Sequence, residues 1–132
     1  MTYLDEMITK ATLAHKNAYA PYSHCAVGCA IKTIDHQFFL GCNVENAAYA
    51  STQCAEASAI GAMVVAGGRK ISDVLIISTE KYICYPCGNC RQVIYEFGSL
   101  QTQIHVCQLE KGLYQTLALS ELLPYAFTLP KN

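Results

Sequence analysis

The chain has 132 residues, a length that predicts a single domain over residues 1–132 with a core of its own. Its formal net charge of −1 argues against binding to polymeric nucleic acid, and no apolar run approaches membrane-spanning length. Charged residues make up only 14% of the sequence, which favours a homo-oligomer whose subunits cover part of one another's surface.

Local patterns predict an alternation of helices and strands. In chain order we expect a helix over residues 2–18, a hairpin of two strands over 25–33 and 38–40, and a second helix over 55–66. A central strand follows over 74–77, then a third helix over 88–97, two strands over 104–109 and 113–117, and a short terminal turn over 120–123.

Several residues support these assignments. Thr2 is placed to cap the first helix, and Ser120 to cap the terminal turn. The run Val74–Ile77 has no polar alternation, which is typical of a strand covered on both faces at the centre of a sheet. Gly28 and Gly41 in the hairpin indicate either a close backbone approach or simple strand irregularity.

Eight cysteines in so short a chain are compatible with a disulfide framework or with thiol and metal chemistry. The first six residues are polar and acidic, unlike the basic and then apolar start of a secretory signal. We therefore expect reduced cysteines in a cytoplasmic protein.

Three of the cysteines and one glutamate form a spaced motif. Cys54-Ala55-Glu56 is followed by Pro86-Cys87 and by Cys90, with thirty-two residues between Cys54 and Cys87. This order resembles the signature of zinc-dependent deaminases. Three thiolates can hold zinc and leave a fourth tetrahedral position for water, as catalytic zinc sites do. Glu56 would act on that water as a base.

A closed structural zinc site is the alternative, because Cys84, Cys87 and Cys90 recur at every third residue and Cys84 could be a fourth ligand. This alternative gives Glu56 no role.

A polar loop after the second strand offers candidate substrate-binding residues. Asn43 and Glu45 supply a donor–acceptor pair and an acceptor that suit a sugar diol, or they form only a turn.

With these motifs placed, the chain resembles the short, tetrameric, three-cysteine cytidine deaminases from about residue 19 to residue 127. The matching segments are Ala20-Pro21-Tyr22-Ser23-His24, Val27-Gly28, Gly41-Cys42-Asn43-Val44-Glu45-Asn46-Ala47, Cys54-Ala55-Glu56, Pro86-Cys87-Gly88-Asn89-Cys90-Arg91-Gln92 and Glu121-Leu122-Leu123-Pro124. The resemblance implies an α/β fold of three α/β/α layers with a mixed five-stranded sheet, which agrees with the predicted order of elements.

The resemblance also implies a function. Members of this family convert cytidine and deoxycytidine to uridine and deoxyuridine with release of ammonia, in pyrimidine salvage. Glu56 would be the catalytic residue of a homotetramer containing Zn²⁺. Asn43, Glu45, Ala55 and Phe127 would contact the nucleoside, with Phe127 supplied by a neighbouring subunit.

Two positions depart from the family pattern. Ala57 stands where relatives usually carry arginine, and Cys25 stands where they usually carry phenylalanine. Both changes keep open a deaminase of a modified cytosine nucleoside, such as a blasticidin-type compound. A zinc-stabilised oligomer that binds ligands without catalysis is a third reading.

Overall fold

The computed structural model describes residues 2–79, 81 and 83–131. Its elements, in chain order, are α1 (Tyr3–Lys16), β1 (Val27–Thr33), β2 (Phe38–Cys42), a 3₁₀ turn (Tyr49–Ser51), α2 (Ala55–Val65), β3 (Ile71–Ser78), α3 (Gly88–Phe97), β4 (Gln103–Gln108), β5 (Gly112–Ala118) and α4 (Leu119–Leu122). The predicted order of elements is confirmed. Among the described residues, none of the helices is long and apolar enough to cross a membrane.

The strands form one mixed sheet in the order β2-β1-β3-β4-β5. Strands β3 and β4 are parallel, while the other neighbouring pairs are antiparallel. A parallel pair needs a long crossover, and α3 lies in the connection between β3 and β4. The predicted five-stranded mixed sheet is therefore confirmed.

Both faces of the sheet are covered, which gives the three predicted layers. Leu75 and Ile77 of β3 pack with α1 on one face, while Val74 and Ile76 pack with α2 and α3 on the other. All four side chains are at most 1% exposed. The absence of polar alternation in β3 thus has the physical cause predicted for it.

The ends of two helices test the capping predictions. Thr2 begins α1 as expected: its hydroxyl accepts a hydrogen bond from the Asp5 N–H at 3.2 Å, and the Asp5 carboxylate accepts from the Thr2 N–H. The cap assigned to Ser120 is wrong, because α4 already begins at Leu119. There the carboxylate of Glu121 accepts from the Ala118 N–H at 2.9 Å.

Gly28 and Gly41 mark close backbone approaches. A Cβ on Gly28 would lie 2.2 Å from the carbonyl oxygen of Ala11 in α1, and a Cβ on Gly41 would lie 2.3 Å from the backbone nitrogen of Ala59 in α2. Each hairpin strand therefore presses directly on the backbone of one helix. At Gly41 this contact sets the position of α2.

A buried polar network lies on the α1 face of the sheet. Asp73 is 4% exposed and its carboxylate is surrounded by partners from several elements. These partners are His105 Nε2 at 2.7 Å, Ser72 Oγ at 2.7 Å, Tyr3 Oη at 3.3 Å and Lys32 Nζ at 3.6 Å. Burial acts to raise the pKa of Asp73, but these hydrogen bonds and the Lys32 charge hold it below its usual value.

Replacing Gly41 with alanine is expected to lower the free energy of unfolding by about 1–3 kcal/mol, because the added methyl meets backbone of α2 that cannot move aside. Urea unfolding followed by circular dichroism measures this change. The matched control is Gly61→Ala, within α2 itself, where a Cβ meets nothing within 4 Å. That control should gain up to about 1 kcal/mol from helix propensity. Equal effects at the two glycines would contradict the close-contact explanation.

Asp73→Asn is expected to cost about 3 kcal/mol of unfolding free energy at pH 7, because it leaves the Lys32 charge buried without its partner. Since the folded-state pKa of Asp73 is lowered, its contribution is present above the unfolded-state pKa of about 3.9 and is lost as the pH falls through the folded value. The difference between native protein and variant should therefore shrink below about pH 4.

The control for this experiment is Glu6→Gln, which removes an exposed ion pair with Lys10 at 3.8 Å. That pair should contribute less than about 0.5 kcal/mol. A stability difference between the native protein and Asp73→Asn that stays constant as the pH is lowered from neutral to well below the usual carboxyl pKa would contradict the assignment.

Candidate functional site

Three cysteine sulfurs converge where two helices begin. The Sγ atoms of Cys54, Cys87 and Cys90 all lie within 4.8 Å of one another. Cys54 directly precedes α2 and Cys87 directly precedes α3, so each stands at a helix N-cap. Cys90 is fully buried in the first turn of α3, and its backbone N–H points at the Cys87 sulfur at 3.5 Å.

This arrangement fits a zinc ion. Zn–S bonds of about 2.3 Å in a tetrahedron place sulfurs roughly 3.8 Å apart, within the observed spread. Among the described residues, neither Cys84 nor Glu56 adds a fourth donor atom to the group. The four-cysteine structural site considered from the sequence is therefore not formed. Burial instead raises the pKa of the Cys84 thiol to about 11.

The electrostatics of the three thiols differ. Burial raises the pKa of Cys54 and, more strongly, that of Cys90. Burial also acts to raise the pKa of Cys87, but hydrogen bonds from the Cys90 N–H and from the two neighbouring thiols bring it below the usual value. The N-terminal ends of both helices favour negative charge at this point. Cys87 is thus the thiol most readily ionised.

Glu56 lies beside the cluster in the first turn of α2. Only 5% of the residue is exposed. Burial raises the pKa of Glu56, while a hydrogen bond from the Cys90 thiol partly opposes that shift. A buried carboxyl group with a raised pKa can both accept and return a proton near neutral pH.

Asn43 and Glu45 hold the segment before β1. The Asn43 side-chain oxygen accepts from the Val27 N–H at 2.9 Å, and its amide nitrogen donates to the Cys25 carbonyl at 2.8 Å. The Glu45 carboxylate accepts from the N–H groups of residues 22 and 23 at 3.0 and 3.1 Å and from the Ser23 hydroxyl. These hydrogen bonds lower the pKa of Glu45.

Glu45 also lines an open cavity of about 460 Å³. The other lining residues come from the same loop region: Tyr22, Ser23, Asn46, Ala47, Tyr49 and Thr52. Asn43 and the three cysteines are not part of this lining. The cavity and the metal cluster are joined along the chain by Gln53, which pairs with Val44 through two backbone hydrogen bonds of 2.9 Å.

The two remaining predicted residues lie in different surroundings. Ala55 is buried at the start of α2, between Cys54 and Glu56. Phe127 is 67% exposed and lines a separate cavity of about 260 Å³ with Tyr95 and Leu129. Within one chain, the structure therefore does not bring Phe127 to the cavity of Glu45.

Sequence reasoning assigned no role to Tyr22 and Ser23, although their backbone N–H groups and the Ser23 hydroxyl bind Glu45. It also did not predict that the Arg91 guanidinium donates to the carbonyls of Pro86 and Leu122. Most of these partners are backbone groups, which every residue type has. The spacing of residues in the sequence therefore could not predict these contacts.

Comparison with known proteins identifies the family of this arrangement. A sequence model described as the cytidine and deoxycytidylate deaminase zinc-binding region matches residues 1–106. The chain belongs to this family. The matched zinc-binding region contains Cys54, Cys87 and Cys90. Zinc is therefore the metal that this cysteine cluster binds.

Individual relatives agree with this assignment. The cytidine deaminase of Halalkalibacterium halodurans is 38% identical over 122 residues, which cover 92% of each chain. That of Mycoplasma genitalium is 37% identical over 125 residues, covering 94% of this chain and 95% of the relative. The crystal structure of cytidine deaminase from Burkholderia pseudomallei superposes with a TM-score of 0.88 at 36% identity, covering 96% of this chain and all of that one.

Zinc content tests the assignment of ligands. Cys87→Ser should lose most bound zinc, because a serine hydroxyl is a far weaker ligand than a thiolate. Cys84→Ser is the matched control: this cysteine lies three residues earlier, outside the cluster, and its replacement should leave the metal content unchanged. Elemental analysis of the purified proteins measures both. Equal loss in the two variants would contradict a three-cysteine site.

Proposed function

We propose that the chain is a zinc-dependent hydrolase that deaminates cytidine and deoxycytidine to uridine and deoxyuridine in pyrimidine salvage, as one catalytic domain over residues 1–132. The observation that carries this proposal is the buried carboxyl group of Glu56 beside three converging cysteines, which would supply three of the four ligands of a tetrahedral zinc ion. A structural site has no use for such a carboxyl group. The relatives at 38% and 37% identity, both cytidine deaminases, support the choice of substrate.

The reaction replaces the exocyclic amine of cytosine with oxygen from water. Cys54, Cys87 and Cys90 would hold the zinc ion, which would act as a Lewis acid and make water nucleophilic at neutral pH. Glu56 would accept one proton from the attacking water and pass it to ring N3. It would then accept the second proton from the hydroxyl group added at C4 and pass it to the amine, which leaves as ammonia. Burial supports this double role, because it raises the pKa of Glu56 toward the working pH.

Asn43 and Glu45 are suited to hold the sugar. The Asn43 amide nitrogen carries two N–H donors, of which the Cys25 carbonyl takes one. Glu45 has a lowered pKa, so it remains an anionic acceptor for hydroxyl donors, and it faces the 460 Å³ cavity. In the sequence, Ala55 lies between the proposed zinc ligand Cys54 and the proposed catalytic residue Glu56. Its backbone would contact the cytosine ring of the substrate.

The exposed apolar side chains support a homotetramer. Tyr49 is 82% exposed, Phe127 67% and Val65 91%, and contacts between subunits would bury such side chains. Phe127 would complete the pocket of a neighbouring subunit. All eight cysteines are free, which supports a reducing, cytoplasmic location.

Glu56→Gln should retain zinc and lose turnover by about 10²–10⁴-fold, because the amide cannot shuttle protons. The decrease in cytidine absorbance measures the rate, and elemental analysis measures the metal. Glu110→Gln, at an exposed turn, is the control and should match the native protein.

Turnover that survives in Glu56→Gln would contradict the role of Glu56. A native protein that consumes neither cytidine nor deoxycytidine would contradict the proposed substrate. Deamination of a blasticidin-type nucleoside in the same assay would then favour the modified-substrate alternative.

A further inference from the structure

We propose that Arg91 is a positioning residue for the metal centre: its side chain ties the Pro86 carbonyl, directly before Cys87, to helix α4 and so positions the Cys87 thiol. This inference rests on the proposed function, because it concerns the same zinc site. Arg91 follows Cys90 directly, and its half-buried side chain makes hydrogen bonds to two backbone carbonyls from different parts of the chain.

The first step of the argument concerns the peptides that flank Cys87. The Arg91 Nε donates to the Pro86 carbonyl at 2.8 Å, and the Arg91 backbone N–H donates to the Cys87 carbonyl at 3.0 Å. The direction of a Cα–Cβ bond follows from the orientation of the two adjoining peptide planes. The Arg91 side chain therefore holds the peptide plane before Cys87, while the backbone of α3 holds the plane after it. Together they fix the direction of the Cα–Cβ bond from which the Cys87 sulfur extends.

The second step concerns exposure. Cys90 is fully buried, so packing alone determines its position, whereas Cys87 is exposed. An exposed side chain at the start of a helix has few packing contacts and keeps more rotational freedom. Of the two ligands at the start of α3, Cys87 is thus the one whose geometry depends more on hydrogen bonds from neighbouring groups.

The third step concerns the anchor at the other end of the guanidinium. Arg91 Nη1 donates to the Leu122 carbonyl of α4 at 2.9 Å. Helix α4 is fixed to the core, because Leu119 is fully buried and its N–H donates to the Thr102 carbonyl at 2.8 Å. The planar, forked guanidinium can hold both carbonyls together, which a lysine ammonium with one flexible attachment cannot do in the same geometry.

Groups that orient metal ligands typically change metal affinity by about 10–100-fold when they are removed. The test uses the full chain, stripped of metal with a chelator and titrated with Co²⁺, whose thiolate charge-transfer absorption reports the geometry of the sulfurs. Arg91→Met should weaken Co²⁺ binding by about 10–100-fold and change the intensity of that absorption. Arg91→Lys should fall between the native protein and Arg91→Met.

Arg69→Met is the matched control. Arg69 also donates to two backbone carbonyls, those of Val64 and Gly68 at 3.0 and 2.8 Å, but it does so at the far end of α2. Its replacement should leave Co²⁺ affinity and absorption as in the native protein. Circular dichroism verifies that each variant is folded, and if Arg91→Met is not, the comparison of Arg91→Lys with the native protein decides.

Native-like Co²⁺ affinity and absorption in the folded Arg91 variants would overturn the inference and leave the proposed function standing. Equal weakening by Arg69→Met would also overturn it, since the effect would then be general destabilisation. Because the titration contains no nucleoside, an Arg91-dependent Co²⁺ site in a protein without deaminase activity would contradict only the proposed function.

Discussion

Two helix starts meet at three sulfur atoms, and the rest of the structure serves to hold them together. Cys54 begins α2, while Cys87 and Cys90 stand in the first turn of α3. Partial positive charge at both helix ends offsets the charge that three thiolates concentrate at one point. Ala57, which follows Glu56 in α2, contributes no charge to this compensation.

The sheet explains why these two helices begin side by side. The register pairs Val27 with Ser78 and Gly28 with Cys42. The first residues of β1 therefore lie beside the last residues of β2 and β3, at one end of the strands. Asn43 follows β2 at this end of the sheet, and the connection from β3 to α3, which contains Cys87, begins at the same end. The contact of Gly41 with the backbone of α2 then fixes the depth at which Cys54 and Glu56 lie. The Asp73 network stabilises the opposite, α1-covered face of the sheet.

Local sequence patterns predicted most of the fold because their physical causes are themselves local. Thr2 and Asp5 are neighbours on one helical turn, and Val74–Ile77 lack polar residues because both faces are buried. The spacing of Cys54, Cys87 and Cys90, with Glu56 two residues after the first cysteine, likewise matches the motif of zinc-dependent deaminases. The cap of the terminal turn was misassigned because Ser120 has the residue type of a cap, whereas Glu121 provides the capping group from inside the helix.

Contacts between distant residues could not be predicted in this way. Asp73 and His105 are separated by thirty-two positions and meet only because β3 and β4 pair in parallel. The hydrogen bonds of Asn43 and Arg91 go to backbone carbonyls and N–H groups, which every residue type offers. The role proposed for Phe127 would require a neighbouring subunit, so a single chain contains no pattern from which to derive it.

X-ray absorption spectroscopy at the zinc edge of the metal-loaded protein tests the central claim most directly. The account predicts three sulfur neighbours at about 2.3 Å and one lighter oxygen or nitrogen neighbour at about 2.0 Å. Four sulfur neighbours would mean that Cys84 or another thiol closes the site, and the deaminase interpretation of Glu56 would then be contradicted.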